Sequence, residues 1–148
     1  MKKKILFLSI LLIFILNLSF AENFGVGIII GEPTGLSFRV WQNKINALDF
    51  GLAWNIGQIN LLHLYGDYVY YNYSIFKIKT GSLPFYYGIG GRILIGNEVK
   101  FGVRIPLGIV YIPPKMPLDF FLELVPILEV IPSTKFDLSG ALGVRYYF

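Results

Sequence analysis

The sequence predicts an all-β fold: an eight-stranded antiparallel up-and-down transmembrane β-barrel, preceded by an N-terminal signal-peptide helix. Three observations predict it. Apolar residues alternate with small or polar ones through most of the chain, turn residues recur at regular intervals, and strand charges stay on one face. The 148 residues are 55% hydrophobic, yet no uninterrupted apolar run of about 18 residues follows Ala21, so no transmembrane helix is expected there.

Residues 1–21 have the pattern of a cleaved secretory signal peptide. The basic start Lys2-Lys3-Lys4 precedes an apolar run, and the small residues Ser19 and Ala21 suit a cleavage site. An uncleaved anchor is the alternative, but the run falls short of the roughly 20 apolar residues of a stable span. We therefore expect residues 22–148 to form one mature, exported domain.

Charge and composition exclude several classes of function. The formal net charge of +4 falls to +1 when the three signal-peptide lysines are removed, which argues against a nucleic-acid partner. The chain has no cysteine and one histidine, so the usual zinc ligands are missing. We predict no metal site and no cofactor.

Alternation of side chains defines the eight strands. In the last one, the even positions are apolar or aromatic, and the odd positions are small, polar or charged. Short turns between strands indicate antiparallel neighbours. The predicted strands are residues 24–30, 35–41, 46–56, 62–70, 85–93, 101–111, 118–130 and 136–148.

Strand charges share the small-and-polar face, whereas most lysines fall in or beside turns. A lipid-facing Arg or Lys at mid-bilayer costs about 2–4 kcal/mol, which explains the pattern if the apolar face meets lipid. An eight-stranded barrel has an interior that side chains can just fill. The predicted lumen ion-pair network is Arg39, Asp49, His63, Asp67, Arg92, Arg104, Glu123, Glu129, Asp137 and Arg145.

Two further groups of residues carry structural expectations. Aromatic residues at strand ends suit interfacial girdles: Trp54, Tyr70, Tyr111 and Tyr146. Pro106 and Pro126 fall in mid-strand, where proline removes a ladder hydrogen bond. We predict a local bulge or irregularity there, with both prolines at the same height on neighbouring strands.

Catalytic and ligand-binding signals are weak. The glycine clusters at 25–27 and 88–91 lack the lysine and helix of a phosphate loop, and the glycines are expected to make room in a crowded lumen. His63 shares a face with Asp67, but no mature serine is an obvious third partner for nucleophilic catalysis. The loops are expected to be short on both sides. We predict no enzyme activity.

Four segments resemble a family of uncharacterised bacterial outer-membrane β-barrel proteins: GEPTGLS at 31–37, ALDF at 47–50, LPFYYGIGGR at 83–92 and GVRYYF at 143–148. More distantly, the architecture is similar to the transmembrane domain of outer membrane protein A. The chain end is similar to the assembly signal of such proteins, with Leu142, Val144, Tyr146 and Phe148. The resemblance implies insertion by the barrel-assembly machinery, with outer-membrane lipid as the surroundings, and implies no chemistry.

The sequence therefore favours an integral outer-membrane barrel with a largely plugged, charge-paired lumen and a structural or interaction role. A periplasmic, lipocalin-like carrier of an apolar ligand is one alternative, and it would need the apolar face inside. A narrow pore and a lipid-modifying enzyme are the others.

Overall fold

A computed structural model describes residues 23–54 and 61–148 of the chain. The predicted signal peptide lies outside these residues, and so do the last two positions of the predicted third strand, Asn55 and Ile56. The described residues are all-β and contain no helix.

The described residues form nine strands. They are β1 (Phe24–Gly31), β2 (Thr34–Trp41), β3 (Asn46–Trp54), β4 (Leu62–Asn72), β5 (Phe85–Ile95), β6 (Val99–Arg104), β7 (Leu107–Tyr111), β8 (Leu118–Ile131) and β9 (Lys135–Tyr147).

Every strand pairs antiparallel with its neighbours in an up-and-down order. The pairings run from β1 through β5, then through β6 and β7 to β8 and β9. Strand β9 pairs with β1, with Val26 opposite Tyr146, so the succession of pairings returns to its start. Both β6 and β7 lie between β5 and β8, and together they fill a single position.

The prediction of one strand over residues 101–111 is wrong, because Ile105 and Pro106 divide it into β6 and β7. Proline has no N–H to donate to the ladder. The Pro106 carbonyl still accepts a hydrogen bond from the Gly88 N–H at 3.1 Å, so the register is kept across the break.

The predicted irregularity is confirmed at Pro106 and is wrong for Pro126, which lies opposite Ile105, one residue from the height of Pro106. The Ile105 N–H donates to the Pro126 carbonyl at 3.0 Å, while β8 continues unbroken through Pro126. A further register shift lies between Phe101 and Gly102, where β6 meets β8.

Side chains alternate between a buried and an exposed face, and the apolar face is the exposed one. Phe101 is 40% and Leu142 55% exposed, whereas Arg104 is 1% and Arg145 2% exposed. The face assignment predicted from the alternation therefore agrees with the structure. It is the reverse of the arrangement in water-soluble proteins, where charged residues are rarely fully buried.

The two ends of the ring of strands differ in their connections. At the end where β1 begins and β9 ends, here called the lower end, the strands are joined by residues 42–45, 73–84 and 112–117. Residues 32–33, 96–98 and 132–134 form short turns at the opposite, upper end. The expectation of short loops on both sides is therefore wrong, since 73–84 joins β4 to β5 over twelve residues.

Closure of the ring predicts a specific cross-link. The variant Val26→Cys/Tyr146→Cys places two thiols at paired positions of β1 and β9, within disulfide reach, in a chain that has no other cysteine. Mild oxidation should join them, as seen by peptide mass spectrometry without reduction. The control Val26→Cys/Leu138→Cys moves one thiol eight residues along β9, about 26 Å away, and should stay reduced. Equal oxidation of both pairs would contradict the β1–β9 pairing.

Candidate functional site

The most unusual feature of the chain is a group of charged side chains buried inside the ring of strands. All are less than 9% exposed, and they alternate along their strands with the exposed apolar residues. We call them the interior charge cluster: Arg39, Asp49, Asp67, Arg92, Arg104, Asp119, Glu123, Glu129 and Arg145.

Arg39 and Asp49 form the first pair, near the lower end. They are opposite each other on β2 and β3, and the Arg39 guanidinium binds the Asp49 carboxylate through two hydrogen bonds. The same guanidinium lies over the rings of Tyr71, at 4.8 Å, and Tyr86, at 5.2 Å. These contacts replace part of the solvation that a fully buried arginine gives up.

Asp119 and Arg145 form the second pair, also opposite each other, on β8 and β9. The Arg145 Nε donates to Asp119 Oδ1 at 3.0 Å, and the Tyr147 hydroxyl donates to the other oxygen. Arg145 Nη1 lies 3.9 Å from Asp49 Oδ2, which joins the two pairs into one network.

Arg104 holds the middle of the cluster. Its Nε lies 2.9 Å from Asp67 Oδ1, its Nη2 lies 3.4 Å from Glu123 Oε1, and its guanidinium stacks 3.8 Å from the centre of the Tyr65 ring. Asp67 and Arg104 are on strands separated by β5, where Gly90 stands between them in register. A side chain at Gly90 would occupy the space of the Asp67 carboxylate, so the glycine allows this pair to form.

A similar arrangement occurs nearer the upper end. Arg92 Nη2 lies 3.4 Å from Glu129 Oε2, across Gly102, which is paired with both residues. It also binds Asp137 at 3.2 Å, and Asp137 is partly exposed at the margin of the cluster. Lys100 lies 3.7 Å from Glu129 and brings a further positive charge to this end.

Nine of the ten residues predicted for the ion-pair network are brought together by these contacts. His63 is the exception. It is buried beside the Tyr65 ring, but it makes no salt bridge with any described residue, and its Nε2 has no hydrogen-bond partner among them. Its cross-strand neighbours, Ala53 and Leu94, offer no acid, so the expectation that His63 joins the network is wrong.

Asp119 is the member of the cluster that the predicted network lacks. It lies four residues before Glu123 on β8, on the same face of the strand. Because Asp119 shares this face, the alternation of the sequence is enough to predict that it points into the ring. Its pairing with Arg145 depends on the β8–β9 register, which alternation alone does not give.

A pocket opens at the lower end of the ring, on the outer side of the Arg39–Asp49 and Asp119–Arg145 pairs. Its volume is about 930 Å³, and its walls include Trp41, Tyr73 and Leu118, with Asp119 among the polar lining residues. Partial burial raises the pKa of the Tyr73 phenol above its usual value, and the charge of Arg39 opposes that rise. Asp119 is already bound by Arg145 and Tyr147, whereas Lys44, which also lines the pocket, has no acid partner among the described residues.

The described part of the chain, residues 23–54 and 61–148, contains no group of three or more acidic or histidine side chains placed to hold a metal ion. Nor does it contain a helix with the length and hydropathy to cross a membrane. Comparison with protein-family models, with curated proteins and with solved structures found no match. Function is therefore inferred from the chemistry and geometry of the chain itself.

Two adjacent glycines test the packing of the cluster. A Cβ at Gly90 would collide with the Asp67 carboxylate and the Gly66 carbonyl, whereas at Gly91 the nearest atom, the Gly102 carbonyl oxygen, would be 3.7 Å away. We expect Gly90→Ala to lower the free energy of unfolding by about 1–3 kcal/mol, because overpacking forces neighbours to shift. Gly91→Ala is the matched control. Urea titration followed by tryptophan fluorescence measures both, and equal midpoints would contradict the crowding at Gly90.

Removal of the central arginine tests the charge pairing. Arg104→Met keeps an unbranched apolar stem but leaves Asp67 and Glu123 buried without their main positive partner. We expect a loss of about 3–5 kcal/mol in the free energy of unfolding. Lys135→Met, an equal charge change at an exposed position, should have little effect. The same urea titration decides, and a wild-type midpoint for Arg104→Met would contradict the pairing.

Proposed function

We propose that residues 22–148 form an integral outer-membrane β-barrel with a plugged, charge-paired lumen and a structural or interaction role without catalysis. The observation that carries this proposal is the inverted arrangement of the side chains. Apolar residues cover the outside of the ring, and ionic residues are enclosed within it.

The exposed apolar wall extends around the whole ring. Each position in the ring contributes large apolar side chains that are at least a third exposed, for example Ile28, Leu36, Phe50, Tyr68, Ile89, Phe101, Leu122 and Leu142. Soluble monomers rarely expose contiguous apolar patches larger than a few hundred Å². A wall of this extent is unfavourable in water and favourable against hydrocarbon chains.

Closure of the ring supports the same environment. In hydrocarbon, an unpaired backbone N–H or C=O costs several kcal/mol, so spanning sheets must have no free edge. Strand β1 bonds to β9 as well as to β2, and β4 bonds to β5, which leaves no open edge in the succession of described strands. The break at Pro106 is bridged by hydrogen bonds on both sides.

Aromatic side chains are concentrated where a membrane interface would lie. Tyr70, Tyr111 and Tyr146 are at the lower end of their strands, and Trp54 is at the upper end of β3. Tyr70 packs beside Tyr87 with ring centres 5.5 Å apart, and Phe148 packs between Tyr146 and Phe24. Amphipathic rings at both margins of an apolar band are typical of transmembrane barrels.

The alternative functions receive less support. A carrier of apolar ligands needs its apolar face inside, but here the interior holds the charge cluster. A pore needs free width, but Arg39, Tyr71 and Tyr86 stack across the interior. A lipid-modifying enzyme needs a catalytic group facing lipid, but His63 is 2% exposed.

Export and insertion are part of the proposal. The signal-peptide pattern of residues 1–21 supports secretion, and the terminal pattern of Leu142, Val144, Tyr146 and Phe148 supports recognition by the barrel-assembly machinery. The partners proposed on these grounds are outer-membrane lipid and, during biogenesis, that machinery.

A scan of single cysteines along β9 tests the membrane assignment. The mature chain would be refolded into phosphatidylcholine vesicles with Leu138→Cys or Leu142→Cys on the exposed face, and with Ser139→Cys as the buried control. A fluorescent label at 138 or 142 should be quenched by lipid-borne quenchers and protected from aqueous ones. The thiol at 139 should react slowly with either kind of reagent. A mature chain that stays folded and monomeric in buffer without detergent would overturn the proposal and favour the carrier.

A further inference from the structure

The connections at the two ends of the ring carry opposite charge. The three at the lower end contain Lys44, Lys77, Lys79 and Lys115, all exposed, and no acidic residue. The short turns described at the upper end contain Glu32 and Glu98 and no basic residue. The lower lysines form no salt bridge with any described residue, so their charge is available to something outside the chain.

The longest connection combines these lysines with exposed apolar side chains. In residues 73–84, Ile75, Phe76 and Ile78 are 54%, 40% and 41% exposed and are interleaved with Lys77 and Lys79. Such a mixture of basic and apolar side chains is typical of segments that lie in the interface of a bilayer. The lysine stems can lie along apolar surface while their ammonium groups reach the headgroups.

The segment is held in place rather than trailing from the ring. At its start, the Asn72 side chain accepts hydrogen bonds from the Ser74 N–H at 2.9 Å and from the Ser74 hydroxyl at 2.6 Å. Near its end, Ser82 and Ile112 exchange backbone hydrogen bonds of 3.0 and 2.8 Å, which tie 73–84 to the neighbouring connection. The segment thus leaves and rejoins the ring at Asn72 and Phe85, the last pair of β4 and β5 at the lower margin of the apolar wall.

We propose that this lower surface, consisting of Lys44, Lys77, Lys79 and Lys115 with Ile75, Phe76 and Ile78, docks on the anionic phospholipid headgroups of the leaflet at the lower end. This inference rests on the proposed insertion of the ring into a membrane. It adds the class of lipid headgroup that the lower surface binds. The apolar side chains enter the boundary between headgroups and acyl chains, and the ammonium groups lie at the phosphates.

The order of the features toward the lower end favours lipid, rather than an acidic protein, as the partner of the lower surface. The apolar wall, the Tyr70–Tyr87 pair and the 73–84 segment follow one another toward the lower end, which is the succession found across a bilayer from core to interface. The lysines are distributed over all three lower connections, around the end of the ring. A planar layer of negative charge around the ring fits that spread.

Lipid-dependent stability tests the docking. The mature chain would be refolded into vesicles of phosphatidylcholine alone or with phosphatidylglycerol, and its unfolding equilibrium in urea measured in each. We expect phosphatidylglycerol to raise the equilibrium constant for folding. Lys77→Gln and Lys79→Gln should each reduce that increase about fivefold. Lys135→Gln, the same change at the start of β9 and the upper end, is the matched control and should leave the gain unchanged. High salt should abolish the difference between wild type and the two variants.

A second measurement reports position directly. A spin label at Phe76→Cys should be shielded from a water-soluble relaxing agent in vesicles that contain phosphatidylglycerol. A label at Asn97→Cys, in an upper turn, should stay accessible.

The outcomes separate the two proposals. If the β9 cysteine scan shows no insertion into vesicles, the membrane assignment fails, and the docking fails with it. If insertion occurs but Lys77→Gln and Lys135→Gln lose the gain equally, or the label at 76 stays fully accessible, the docking alone is wrong. In that case an acidic soluble partner becomes the occupant to seek.

Discussion

Four arginine side chains lie inside the ring of strands with almost no access to water, and the rest of the structure is arranged around them. Removing such a charge from water costs several kcal/mol unless an acid and further polar or aromatic contacts replace the solvent. Arg39 and Arg145 each have an acid directly opposite, whereas Arg104 and Arg92 reach acids across an intervening strand. Five buried acids therefore accompany the four arginines, and Asp137 adds a sixth at the margin.

This pairing also accounts for the inward glycines. Gly90 and Gly102 each lie on the strand between the two members of an ion pair. At Gly51, the Tyr65 ring from the neighbouring strand fills the space of a side chain, and Arg104 lies over that ring. A large side chain on one strand thus occupies the space of a missing one on the next. The interior is filled by this alternation, with buried rings such as Tyr71 and Phe121 packed beside the charges, while most of the large apolar residues face outward.

The faces of the strands could be predicted from the sequence because a strand has only two sides. Once alternation assigns Arg145 to one side, Leu142 and Tyr146 fall on the other. The pairings need more, since Asp119 meets Arg145 and His63 meets Ala53 only through the register between strands. Register depends on how each connection closes, and alternation does not encode it.

The connections were predicted less well than the strands for a similar reason. Pro106 was recognised as a disruption, but hydrogen bonds to both neighbours decide whether the disruption bends one strand or divides it into two. The predicted strands over 62–70 and 85–93 leave residues 71–84 between them, and the local pattern of that segment does not show how it is held. Its attachment to Ile112 is a contact between distant parts of the chain and leaves no local signal.

The two ends of the ring show which charges folding requires. Inside, every arginine has an acid partner, and a change to either member would leave a buried charge unpaired. At the lower end, the four lysines have no acid partner among the described residues, and the interior pairs do not depend on them. Like charges gathered at one end repel one another in the free chain, a small but real cost at low salt. A negatively charged surface outside the chain would offset that cost, whereas the acidic upper turns would gain nothing from it. The distribution of charge thus gives the ring a direction that its strand pairing does not.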